Sequence, residues 1–202
     1  MVDTKWLRCA IGLQGILLPW LVALLLWRIP SSISETYYTW EAGAVFVAVL
    51  GWASILLIAY KGYDDIDDML NTLAGMFGIT VLLFPCESQY ELVGTFQIPM
   101  QASAVIHYIS AAMFFGLLAY NSLFQFTKTN GTMTKEKKAR NVIYIVCGVG
   151  MILSFGILLL PSFRIQVWLM ETIALTFFGV SWITKANRFR WLFAERRTDE
   201  RN

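Results

Sequence analysis

Six long apolar runs joined by short connections leave this chain few folds to choose from. They fall at about 9–27, 42–60, 69–84, 101–124, 142–160 and 166–184. A helix rises about 1.5 Å per residue and a hydrocarbon core is about 30 Å thick, so each run is long enough, or nearly so, to cross it. In lipid every backbone polar group needs an internal partner, so a spanning segment is either a helix or a strand of a closed barrel. Barrel strands alternate apolar and polar residues over about 10 positions, and these runs do not. The fold class that follows is all-α: a polytopic membrane protein, a bundle of six transmembrane helices. Short links make consecutive helices antiparallel neighbours.

Composition points the same way. The 202 residues are 57% hydrophobic and only 15% charged, where a soluble domain carries about 25% charged residues. The first run follows Lys5 and Arg8 but is long for a signal peptide. Arg28-Ile29-Pro30 after it offers no small-residue cleavage site, so it reads as an uncleaved first helix. No repeat or separate soluble domain interrupts the pattern. Residues 1–202 read as a single transmembrane domain, with 185–202 as a basic cytoplasmic tail.

Lysine and arginine set the expected orientation. With the N-terminus inside, the inner segments hold Lys5, Arg8, Lys61, Lys128, Lys135, Lys137, Lys138, Arg140, Lys185, Arg188, Arg190, Arg196, Arg197 and Arg201. The outer segments hold Arg28 and Arg164, fourteen cations against two. This predicts an integral protein of the plasma membrane or an endomembrane, with both termini cytoplasmic. The same bias accounts for the basic loop Lys128–Arg140 and the basic tail, so the expected partners are membrane lipids and not nucleic acid. Trp27, Trp40, Trp168, Trp182 and Trp191 near the segment ends suit an interfacial belt.

Polar groups inside a membrane are costly, so they mark candidate sites. His107 and Glu171 lie within the fourth and sixth runs, both near the outer side. The outer loop before the second run is rich in polar groups, including Ser34, Glu35, Tyr38 and Glu41. A catalytic arrangement pairs His107 and Glu171 as acid and base, with Ser34 or a water as nucleophile. A binding arrangement uses Glu35, Tyr38 and Glu41 for a lipid headgroup or small polar ligand. The competing structural account makes His107 a hydrogen-bonded bundle residue and the serines helix caps. One histidine, without HxxxH or HExxH spacing, supports no zinc site, and no cofactor motif is present. The cysteines Cys9, Cys86 and Cys147 form no framework.

On the opposite side, Asp64, Asp65, Asp67 and Asp68 precede or open the third run. Asp67 and Asp68 suit a helix N-terminus, with Asn71 one turn deeper. Cation binding is the alternative, although the spacing is not that of an EF-hand. Gly75, Gly78, Gly148, Gly150, Gly156 and Gly179 suit close helix contacts.

The order of features resembles a known family. Pro30 precedes Ile33-Ser34-Glu35-Thr36, Glu41 and Phe46 open the second helix, and Asn71 and Gly75 lie early in the third. His107 is followed by Ala111, Phe115 and Tyr120. This is similar to the six-helix DRAM-like family of damage-regulated autophagy modulators, GPI-lipid-remodelling relatives and bacterial proteins of unknown function. The resemblance spans about residues 10–185. It implies six spans, with Ser34, Glu35, Glu41 and His107 near the outer face, and a role in membrane-lipid organisation. The distant alkaline ceramidases and adiponectin-receptor-like hydrolases use seven helices and several histidines for zinc, and this chain departs from that pattern. The leading expectation is a multi-pass protein that binds or organises lipid at its non-cytoplasmic face. A lipid-modifying hydrolase and a small transporter are the alternatives. Against transport, no inverted repeat or paired broken helices are found.

Overall fold

Apolar length becomes helix wherever the sequence offers it. A computed structural model describes residues 4–129, 131–158 and 167–186. Among them are six helices long and apolar enough to cross a membrane. These are α1 (Thr4–Leu26), α2 (Trp40–Ala59), α3 (Asp65–Leu83), α4 (Met100–Tyr120), α5 (Lys135–Leu158) and α6 (Val167–Lys185). A five-residue π-helical turn, Asn121–Gln125, continues α4. The protein is a multi-pass integral membrane protein with an all-α fold. The expected end of the fifth run, Arg164, Trp191 and the tail beyond Ala186 lie outside the described residues.

Helix starts differ from the apolar runs because hydropathy reports solvent and not backbone. The first helix starts by Thr4, and the third starts at Asp65, four residues before its apolar run. Asp64 is the N-cap of α3, its carboxylate accepting from the Asp67 N–H at 2.9 Å. Thr39, ahead of α2, makes no such cap; its hydroxyl donates to the Thr36 carbonyl at 2.7 Å.

The helices form a closed ring in chain order, with α6 returning to α1. That closing seam is built on two glycines. A Cβ on Gly12 would lie 2.7 Å from the Gly179 carbonyl oxygen, and one on Gly179 would lie 2.4 Å from that of Gly12. Only hydrogen at both positions allows this approach. Gly75 lets α3 meet the Ser54 carbonyl of α2 in the same way, whereas Gly156 has open space around it. Outward positions such as Leu24, Trp52, Ile55, Val105, Ile109, Ile152 and Leu153 are exposed and apolar, as a lipid-facing surface requires. Trp27 and Trp40 are also exposed, but Trp168 and Trp182 are buried and belong to the core, not to an interfacial belt.

Two ends of the ring matter below. The Ser32 end carries the connection 27–39, which contains a 3₁₀ turn at Ser34–Tyr38, and the connection 84–99. The latter holds a minimal hairpin of Leu92–Val93 against Ile98–Pro99. The Asp67 end carries residues 60–64 and the π turn. The α4–α5 seam is closed at the Asp67 end, where Ser122 donates to the Tyr144 carbonyl at 2.8 Å and Leu123 packs on Gly148. Towards the Ser32 end the helices part, and a cavity opens.

Candidate functional site

Pro85 explains why a histidine sits in α4. Proline has no N–H, so the Val81 carbonyl, which would bond residue 85 in a continuing helix, loses its partner. His107 supplies one: its Nδ1 lies 3.2 Å from the Val81 oxygen and 2.9 Å from that of Phe84. Ser103, one turn earlier on α4, donates to the Pro85 carbonyl at 2.8 Å. Carbonyls only accept, so Nδ1 carries a hydrogen, and in the neutral ring Nε2 is left as a bare acceptor. The ring is buried and lines the cavity.

Glu171 of α6 holds the facing loop. Its carboxylate accepts from the Ser32 hydroxyl at 3.0 Å and the Ile33 N–H at 2.5 Å. A backbone bond from Trp168 N–H to the Ser31 carbonyl, 2.9 Å, secures the same loop to the start of α6. Glu35 folds back on Ser31, accepting from its N–H at 3.1 Å and from its hydroxyl. Ser34 donates its N–H to the Ser32 hydroxyl at 3.1 Å.

The cavity has a volume of about 670 Å³, within the roughly 300–1,000 Å³ of ligand sites. Its Ser32 end is walled by Ser31–Glu35, Cys86–Ser88, His107, Tyr108 and Glu171. Its deeper part is walled by Phe46, Leu50, Phe114, Phe115, Phe155 and Leu175. No lysine or arginine is among the described residues lining it.

Burial pushes the Cys86 thiol up to about 12, and the carboxylates of Glu171, Glu35 and Glu87 push it the same way. Among the described residues, no three His, Cys, Asp or Glu side chains are grouped to hold a metal.

Of the candidates named from sequence, His107, Glu171, Ser34 and Glu35 all line this cavity. His107 and Glu171 have separate partners and share no hydrogen bond. Tyr38 and Glu41 do not line it. The Tyr38 hydroxyl instead donates to the Cys86 carbonyl at 2.6 Å, tying connection 27–39 to connection 84–99. Glu41 is exposed in the first turn of α2. Sequence reasoning did not single out the Ile33 N–H, Cys86 or Tyr108. A backbone N–H carries no residue-type signal, whereas the position of Tyr108 next to His107 was a signal that could have found it.

The comparisons with known proteins place the chain in no group: no family model, no curated protein and no solved structure matches it.

Proposed function

We propose that this protein binds membrane lipid at its non-cytoplasmic face, with the headgroup at the Ser32 end of the cavity and the chain in its deeper part. The observation that carries this reading is the gradient along one cavity, from serines, carboxylates and an imidazole at the rim to aliphatic and aromatic side chains below. A ligand that fills it is polar at one end and apolar along its length. The distribution of lysine and arginine supports putting the Ser32 end outside and the Asp67 end, with both termini, in the cytoplasm.

Ala111 lines the cavity from α4. Ala111→Trp is expected to obstruct it and to remove a lipid that copurifies with the wild type, as read by native mass spectrometry. An identical lipid complement in the folded variant would sink the proposal. Orientation is checked by single cysteines at Ser88 and Tyr63 in sealed cells, where a membrane-impermeant thiol reagent is expected to label position 88 and not position 63.

A further inference from the structure

The cavity's rim is one-sided in its chemistry. Three carboxylates, Glu35, Glu87 and Glu171, line it, and no described cation does. The Glu171 carboxylate has about four lone-pair sites, and the Ser32 hydroxyl and Ile33 N–H occupy one on each oxygen. The Ser34 side chain is a further partner, which leaves about one site to accept from a ligand. His107 adds a second acceptor. The residue is only 2% exposed and lines the cavity. Its Nδ1 is taken by the Val81 and Phe84 carbonyls, and its Nε2 makes no hydrogen bond among the described residues. Two acceptors with bonding capacity left on the wall of one cavity favour a ligand that donates.

We infer that the headgroup this cavity selects carries a free ammonium group. This rests on the lipid-binding reading and names the ligand class for the same cavity. An ammonium offers three donors and no acceptor, which matches a rim of acceptors and hydroxyls. Its charge is attracted by all three carboxylates, and the attraction is strengthened by the apolar walls below. A phosphate or carboxylate headgroup meets the same carboxylates without a compensating cation among the described residues. The serine hydroxyls of Ser34 and Ser88 can accept or donate, so they suit either a bare amine or one with neighbouring hydroxyls.

The test uses the full chain in nanodiscs of zwitterionic lipid. Three probes share one saturated chain and differ only in the headgroup: a primary amine, an alcohol and a carboxylic acid. Ala111→Trp serves as the blank for partition into the bilayer. The amine is expected to bind at least about tenfold more tightly than the alcohol, and the acid more weakly than both. Combined Glu35→Gln and Glu87→Gln leaves the Glu171 latch intact. It is expected to reduce the ratio of amine to alcohol affinity several-fold. Adding Glu171→Gln is expected to erase the advantage.

If the alcohol or acid binds as tightly as the amine, or the double variant keeps the full preference, the headgroup assignment is overturned while lipid binding stands. If no probe binds the wild type better than Ala111→Trp, the lipid-binding reading itself fails.

Discussion

The two ends of the bundle use buried polar residues for opposite purposes. At the Asp67 end, side chains bond one another and the backbone across α3 and α4. The wholly buried Asp67 accepts from the Tyr63 N–H at 2.9 Å and from the Asn71 amide at 2.7 Å. Asn71 in turn accepts from the Asn121 amide at 3.0 Å. Cations there lie on rings: Arg8 stands 5.4 Å from the centre of Tyr60, and Lys185 4.8 Å from that of Phe126. Arg8 also donates to the Tyr60 hydroxyl at 3.1 Å. At the Ser32 end the polar side chains instead surround a cavity. Burial alone therefore does not separate scaffold from candidate site; what separates them is whether the side chains face one another or face a cavity.

The largest expected effect tests this difference at the Asp67 end. Asn71→Leu removes a donor from a buried carboxylate and an acceptor from Asn121, whose own carbonyl oxygen is already buried without a partner. Each buried polar group that loses its hydrogen bond costs about 1–3 kcal/mol, and two lose one here, so thermal unfolding in detergent should show a large loss. A variant as stable as the wild type would mean that Asp67 and Asn71 do not hold α3 to α4. The ligand panel for the Ser32 cavity should be unaffected in whatever fraction remains folded.

Glu171→Leu should cost less. It strands the Ile33 N–H and frees the Ser32 hydroxyl, but both lie in part-buried surroundings beside the cavity, where water can replace the carboxylate. The expected loss is about 1–3 kcal/mol, the cost of one unsatisfied group. A loss as large as that of Asn71→Leu would make Glu171 a scaffold residue like Asp67 and remove the contrast between the ends.

How much of this contrast is legible in sequence depends on how local each interaction is. The six helices follow from apolar length, which acts over one segment at a time. Asp67 and Asn71 are four apart, so their place on one helix face can be read directly, and the Asp64 cap follows from position. The bond from Asn121 cannot be read so: it joins residues fifty apart through the α3–α4 packing. The outer candidates divide similarly. Counting depth puts His107 and Glu171 near one side of the membrane, and the structure sets both on one cavity. Their actual partners are the Val81 and Phe84 carbonyls and the Ile33 N–H, backbone groups that no residue type announces. Pro85 is the one local clue, since a missing N–H requires another donor near Val81.

The smallest effect lies at the surface of the Asp67 end and fixes the limit of its network. Lys128 bonds the Asp64 carboxylate at 2.6 Å, with both side chains about a third exposed (35% and 36%). The Lys128 ammonium, and then the Asp67 N–H that Asp64 caps, hold the Asp64 carboxyl below the usual carboxylate range. A carboxyl depressed in the folded state adds stability above its unfolded pKa of about 3.9, and that stability is lost as pH falls through the lower folded value. The contribution is therefore complete at neutral pH and fades only in acid below about pH 4. Exposure and salt weaken such a pair. Lys128→Met is expected to lower the unfolding temperature slightly at neutral pH and to flatten its decline in acid, while the Asp64 cap on α3 persists. An acid decline as steep in the variant as in the wild type would mean that Lys128 lies outside the network, which then ends at Asp64, Asp67, Asn71 and Asn121.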